Sequence, residues 1–93
     1  MITAIVLVDT AVDSIPEAAQ QIADIAGVSE VYSVTGDTDL VAMVQVAEHE
    51  ALADVIADRI SKVAGVRSTR TYISFRTYSR QDLDTAFSLG LDD

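Results

Sequence analysis

The sequence predicts an α+β fold in which a four-stranded antiparallel sheet carries two helices on one face. The main observation is a repeat, because residues 22–28 (IADIAGV) and residues 60–66 (ISKVAGV) share one pattern. In both copies a helical apolar run meets Ala-Gly, and a segment that starts with a β-branched residue follows. Gly27 and Gly65 can adopt the left-handed conformation that ends a helix. The 93 residues therefore divide into two similar strand–helix–strand halves.

The first half begins with an apolar strand over residues 2–8. Ser14 and Glu17 have the spacing of a capping box at the start of a helix, and Pro16 suits its first turn. The apolar stripe of this helix repeats at helical spacing and comprises Ile15, Ala18, Ala19, Ile22, Ile25 and Ala26. A second strand over residues 28–34 alternates, with one side formed by Val28, Glu30, Tyr32 and Val34.

The second half begins after a Gly- and Asp-rich turn at residues 35–39. Residues 40–46 form a third strand that is apolar on both faces, and a second helix is predicted over residues 48–64. Its buried stripe comprises Leu52, Val55, Ile56, Ile60 and Val63. The last strand is predicted over residues 66–78. This order of elements is typical of a ferredoxin-like βαββαβ sandwich.

The predicted domain boundaries are residues 1–78 for the sandwich and residues 79–93 for a C-terminal extension, which is compatible with a short helix over residues 81–89. The chain is 49% hydrophobic, and a domain this small struggles to bury so much apolar surface alone. The first and third strands lack the polar alternation of a solvated sheet face. We therefore expect an obligate homo-oligomer, with a second copy of the sheet covering the face opposite the helices.

Charge and composition exclude several functional classes. The net charge is −9, and residues 1–47 contain seven acidic side chains but no Lys or Arg, so we expect no direct nucleic-acid binding. The absence of cysteine excludes disulfides, thiol nucleophiles and cysteine-based metal sites. The longest apolar run, residues 4–8, is too short to cross a bilayer, and no signal peptide is recognisable. A cytoplasmic location fits these features.

The segment from Thr35 to Leu40 is the main candidate for a functional site. Gly36 permits an unusual backbone conformation, free amides of the turn could hold a carboxylate, and Asp37 or Asp39 could hold an ammonium group. The local pattern alone favours an ordinary hairpin turn with solvated acids. No further oxygen ligands accompany the two carboxylates, so neither a metal nor a cofactor is predicted.

Two further groups of polar residues have plausible structural roles. His49, the sole histidine, lies between two glutamates near the start of the second helix and is expected to be solvated. A polar row on the last strand could hold a carboxylate or, more in keeping with the acidic first half, pair with acidic residues of a neighbouring subunit. This row comprises Arg70, Tyr72, Arg76 and Tyr78.

Three motifs stand in order along the chain: the Ala-Gly-Val that ends the first helix, the hairpin segment 34–40 (VTGDTDL), and residues 64–66 (AGV) followed by Thr69 and Thr71. Together they resemble a known family, the effector-binding (RAM) domain of Lrp/AsnC transcriptional regulators. The resemblance covers about residues 1–78. It implies dimers paired through their sheets (a dimeric α/β barrel), assembly into rings that are commonly octamers, and amino acids bound between dimers. The effector-site residues that it implies are Gly36, Asp37, Thr38, Asp39, Leu40, Thr69 and Thr71.

The leading functional hypothesis is a non-enzymatic module that senses amino acids or related small metabolites and oligomerises. The chain begins directly at the first strand, so we expect a stand-alone form without the helix-turn-helix, which regulates by co-assembly with full-length Lrp/AsnC regulators or by contact with another protein. One alternative is a small cofactor-free enzyme of the dimeric α/β-barrel type, although the chain has no Trp, no Asn and a single His. Another is a purely structural assembly domain.

Overall fold

The computed structural model describes residues 1–78 and Arg80. Its four strands form one antiparallel sheet in the order β2-β3-β1-β4, which confirms the predicted ferredoxin-like topology. The elements in chain order are β1 (Ile2–Thr10), a 3₁₀ turn (Val12–Ser14), α1 (Ile15–Ala23), β2 (Val28–Ser33), β3 (Leu40–Val46), α2 (residues 49–62) and β4 (Val66–Ile73).

The core lies between one face of the sheet and the two helices. Every second residue of β1 and β3 is buried, beginning at Ala4 and Leu40 respectively. These side chains pack against the apolar stripes of both helices. The buried helical residues are Ala18, Ile22, Leu52, Val55 and Ile60. None of the described helices is long and apolar enough to span a membrane.

The start of α1 differs from the predicted capping box. Ser14 occupies the N-cap position and Pro16 lies in the first turn, as predicted. Within the described residues, however, the Ser14 hydroxyl bonds to Asp13 Oδ1 at 3.4 Å and not to a helix N–H group. The preceding 3₁₀ turn gives Ser14 φ −118° and ψ 6°, whereas a capping residue usually has an extended backbone. The predicted capping box is therefore wrong.

The second helix changes its hydrogen-bonding pattern along its length. It is α-helical over His49–Ala53, π-helical over Asp54–Arg59 and 3₁₀ over Ile60–Lys62. A π segment bonds residues five apart and so brings positions i and i+5 onto similar sides of the helix. Val55 and Ile60, five apart, are both buried. The predicted apolar stripe is confirmed, but the helix ends two residues earlier than expected.

Both repeated glycines adopt the predicted left-handed conformation. Gly27 has φ +99° and Gly65 has φ +92°. At Gly65 a Cβ atom would lie 2.6 Å from the Cβ of Ser14, well inside van der Waals contact. The Gly65 carbonyl also accepts a hydrogen bond from the Ala11 N–H at 2.8 Å. The turn after α2 is therefore packed directly against the segment that leads into α1. Both the positive φ and the short distance to Ser14 favour glycine at position 65.

The last strand is shorter than predicted, because β4 ends at Ile73. Of the predicted polar row, only Arg70 and Tyr72 lie in the strand, on the sheet face opposite the helices. Arg76 and Tyr78 follow the strand and are exposed. The helix considered over residues 81–89 lies outside the described residues.

A bulge in β2 also changes the predicted faces. Val28 pairs with Val44, but Glu30 pairs with Met43, so the register shifts by one residue between them. This shift places Val28 on the helix side of the sheet. Glu30 and Tyr32 remain on the opposite face. The regular alternation predicted for residues 28–34 did not include this bulge.

Candidate functional site

The loop between β2 and β3 spans residues 34–39 and is closed by a bond from the Val34 N–H to the Asp39 carbonyl at 3.0 Å. Gly36 has φ +142° and is exposed, as is Asp37. The N–H groups of residues 35–38 donate to no other group among the described residues. Because these amides are free of partners within the fold, the loop tip can offer several donors to an anion.

The base of the loop is attached to the end of β1 by three hydrogen bonds. The Thr38 hydroxyl and the Asp39 N–H both donate to the Val8 carbonyl, at 3.1 and 3.2 Å. Asp39 Oδ2 accepts from the Thr10 N–H at 2.9 Å. Thr38 is buried. Two of the predicted site residues therefore also hold the loop in position.

Thr10 is a component of this site that the sequence patterns did not single out. Its side chain is 5% exposed, and its Oγ1 has no hydrogen-bond partner among the described residues. A buried hydroxyl without a partner is unusual in a folded protein. Thr10 lies 29 residues from Asp39 in sequence, so only the pairing of β1 with β3 brings the two together. Nothing in the local sequence signalled the contact.

The two predicted threonines of β4 lie at different distances from the loop. Thr69 pairs with Val8, which also pairs with Leu40, so Leu40 and Thr69 occupy neighbouring positions in one row across three strands. With strands about 4.8 Å apart, these two residues are separated by roughly 10 Å. Thr71 lies farther from the loop and lines a hollow of about 310 Å³ with residues of α2 such as His49. Within a single chain, Thr69 approaches the loop and Thr71 does not.

The described residues contain no group of three or more His, Cys, Asp or Glu side chains placed to hold a metal ion. What the loop offers is a set of backbone donors next to two carboxylates. This combination suits a small molecule that carries both an anionic and a cationic group. An amino acid has this chemistry.

Comparison with known proteins gives a family assignment. The model of the Lrp/AsnC ligand binding domain matches residues 3–83. The chain belongs to this family. An HTH-type transcriptional regulator from Pyrococcus horikoshii is 37% identical to it over 65 residues, which cover 70% of the chain and 43% of the regulator. The chain thus spans less than half the length of the curated relatives that it matches.

Solved structures similar to the chain share its fold. The Thermus thermophilus protein TTHA0845 is 42% identical with a TM-score of 0.82, covering 86% of this chain and 100% of that one. A feast or famine regulatory protein from Mycobacterium tuberculosis, crystallised with L-methionine, is 35% identical with a TM-score of 0.70. That match covers 87% of this chain and 55% of the regulator. The resemblance inferred from the three sequence motifs is confirmed at the level of family and fold.

Proposed function

We propose that this Lrp/AsnC domain senses an amino acid or a closely related metabolite through the β2–β3 loop. The observation that carries the proposal is the loop itself, in which free backbone N–H groups of residues 35–38 lie next to Asp37 and Asp39. The M. tuberculosis relative was crystallised with L-methionine. An amino-acid ligand fits the charges of this loop and the family to which the chain belongs.

Each group of the ligand has a candidate partner. The α-carboxylate would accept hydrogen bonds from the N–H groups around Gly36, where φ +142° opens the backbone. The ammonium group would bind a carboxylate, with exposed Asp37 as the first contact and Asp39 as the second. Leu40 continues the loop into β3. Thr38 positions the loop through its bond to the Val8 carbonyl.

Oligomerisation is the second part of the proposal. The sheet face opposite the helices carries half-buried apolar side chains on both central strands, namely Ile5, Leu7, Val41 and Met43. A second copy of the sheet would remove this surface from water, and burial of apolar area is the main favourable term in association. Thr69 and Thr71 would belong to the ligand site where dimers assemble further into a ring.

Sensing and assembly would be linked through the ligand's position between subunits. A ligand shifts an assembly equilibrium only by its differential affinity for the two states. A module of this kind would regulate by co-assembly with full-length Lrp/AsnC regulators in the cytoplasm. Relatives such as the P. horikoshii protein are transcriptional regulators, which favours this role over an enzyme of the dimeric α/β-barrel type.

Thermal unfolding of the purified chain with each amino acid at millimolar concentration tests the proposal. A ligand at 100 times its dissociation constant adds about 2.7 kcal/mol, which raises the midpoint by roughly ten degrees or more for a domain of this size. We expect such a rise for one or a few amino acids, and its loss in Asp37→Ala. Asp54→Ala removes an exposed carboxylate from α2 and serves as the control. An unchanged midpoint with every amino acid would overturn the sensing function.

A further inference from the structure

The helices leave part of the β4 edge of the sheet uncovered. Thr71 pairs with Val6 and Ile73 pairs with Ala4, so all four side chains lie on the helix side of the sheet. Val6 and Ala4 are fully buried beneath the helices, whereas Thr71 and Ile73 are exposed. Among the described residues, the helices therefore cover β1 but leave this part of β4 open to solvent.

The side of α2 that faces β4 carries small side chains. Ala53 and Ala57 lie four residues apart and are both exposed. They line the hollow of about 310 Å³ between α2 and β4. We call this hollow the α2–β4 groove, and its lining includes Leu52, Ala53, Ile56, Ala57, Thr71 and Ile73. Exposed apolar surface of this kind is typical of an interaction site.

The chain leaves the sheet at one end of the α2–β4 groove. A second hollow of about 520 Å³ adjoins the groove, because His49 and Ile73 line both. Ser74 and Phe75, which follow β4, also line this second hollow. The Ser74 N–H donates to the Thr3 carbonyl at 2.8 Å and holds the chain beside β1 up to this point. The residues after Phe75 therefore start next to the groove.

The sequence after the sheet has the pattern of an amphipathic helix. In the helix considered over residues 81–89, Leu83, Ala86 and Phe87 share one face, and the acidic side chains lie outside that face. Gly90 follows directly and is a typical helix stop. The match to the family model ends at residue 83, so most of this segment lies beyond it. An apolar face of this kind needs a surface to pack against.

The segment and the groove are compatible in length. As a helix, the nine residues 81–89 would span about 13 Å, which is close to the length of α2 between His49 and Ala57. Seven residues, 74–80, separate the end of β4 from Gln81. Fully extended, seven residues reach roughly 23–25 Å. The segment can therefore return to the groove of its own chain.

We propose that residues 81–89 dock in the α2–β4 groove of the same chain, with Leu83 and Phe87 against Ala53 and Ala57. Large side chains would fill the space that the two alanines leave, and the contact would remove apolar area from water. The proposal does not rest on effector binding or on oligomerisation. Because Thr71 lines the groove, an effector that contacted Thr71 would have to displace this segment.

Crosslinking tests the docking directly, because the chain contains no cysteine. The variant Ala57→Cys with Ala86→Cys keeps both Leu83 and Phe87. With a short bismaleimide, we expect an intramolecular crosslink that forms at least tenfold faster than in Gln20→Cys with Ala86→Cys. Gln20 is exposed on α1 and serves as the control position.

Two results of this experiment would overturn the proposal. Equal crosslinking rates in the two variants would show that the segment does not favour the groove over α1. A covalent dimer from Ala57→Cys with Ala86→Cys would show that the groove takes this segment from a second copy of the chain. Mass spectrometry after digestion identifies the joined positions in either case.

Thermal unfolding provides an independent measurement. Leu83→Ala and Phe87→Ala each remove a side chain from the proposed contact, and we expect each to lower the melting midpoint by roughly 4–8 °C. Leu89→Ala changes a residue outside the shared face and serves as the control. Unchanged midpoints in Leu83→Ala and Phe87→Ala would contradict the docking.

A double-mutant cycle locates the contact on α2. Ala57→Leu places a larger side chain in the groove, where it would compete with Phe87 for space. We therefore expect Ala57→Leu to lower the midpoint more in the parent chain than in the Phe87→Ala background. Equal shifts in both backgrounds would show that Phe87 does not contact Ala57.

Discussion

The carboxylate of Asp39 accepts a hydrogen bond from the backbone N–H of Thr10 at 2.9 Å, across 29 residues of sequence. This bond ties the proposed effector loop to the last residue of β1. The chain continues from Thr10 to Ala11, whose N–H bonds to the Gly65 carbonyl at the end of the α2 turn. A ligand group that competes for Asp39 would therefore weaken the hydrogen bond between the loop and Thr10. The adjacent residue, Ala11, in turn connects the first strand–helix–strand half to the second.

Replacement of Asp39 should affect both stability and ligand response. Asp39→Ala leaves the part-buried Thr10 N–H without its acceptor, so we expect a loss of about 1–3 kcal/mol in the free energy of unfolding. Asp39→Asn keeps an acceptor oxygen but removes the charge, and should lose less stability while still losing affinity for an ammonium group. Urea unfolding and calorimetry of both variants measure the two effects. A fully stable Asp39→Ala would show that the bond contributes nothing.

The Thr38 hydroxyl should contribute to stability independently of any ligand. It is buried and donates to the Val8 carbonyl at 3.1 Å. Thr38→Val keeps the shape but removes this donor, and we expect a loss of about 1 kcal/mol. Thr38→Ser retains the hydroxyl and serves as the matched control in urea unfolding. A Thr38→Val variant as stable as the parent would show that the hydroxyl contributes nothing.

Much of the fold could be predicted because its signals are local. The repeated Ala-Gly-Val predicted the two turns, since only glycine readily adopts the positive φ seen at Gly27 and Gly65. The helix ends were predicted less well, because α1 ends at Ala23 and α2 at Lys62, a few residues before those glycines. The apolar stripe of α2 was predicted from spacing alone. That of α1 was predicted correctly as far as Ile22, whereas Ile25 and Ala26 follow the helix and Ala26 is exposed. The capping box was not predictable, because the backbone of Ser14 depends on a preceding 3₁₀ turn. The β2 bulge was missed for a similar reason, as it is visible only against the register of β3.

The candidate site was predictable in part. The segment around Gly36 was identified from turn chemistry, and the structure places it in an exposed loop. The contacts of Thr10 could not be found in the same way. They arise from the pairing of β1 with β3, which joins residues far apart in sequence. The effector roles of the loop residues stay predictions.

Two glycines provide a test that separates backbone strain from steric overlap. Gly36 has φ +142°, and apart from its two chain neighbours no described residue has a heavy atom within 4 Å of an added Cβ, so Gly36→Ala should cost only strain, of order 1–3 kcal/mol. Gly65→Ala adds strain at φ +92° and places the new Cβ only 2.6 Å from the Ser14 Cβ, inside van der Waals contact. We expect a further loss of about 1–3 kcal/mol from this overlap. Chemical denaturation of both variants measures the difference.

Ser14→Gly removes the atom against which the new Cβ would collide. In a double-mutant cycle, Gly65→Ala should therefore be less destabilising in the Ser14→Gly background than in the parent. Additive losses would show that the chain relieves the overlap by moving elsewhere.

The phenol of Tyr32 should titrate above its ordinary value of 10.0. Its hydrogen bond to the Glu30 carboxylate raises the pKa, and partial desolvation and the negative charge of Glu30 act in the same direction. Because the folded pKa is the higher one, this contribution to stability is present below pH 10 and is lost as pH rises through the folded value. The chain has three tyrosines, so Tyr72→Phe with Tyr78→Phe isolates Tyr32 for absorbance titration. In that background we expect Glu30→Gln to lower the titration midpoint of the Tyr32 phenol. Identical titration curves with and without Glu30→Gln would show that Glu30 does not raise the pKa of Tyr32.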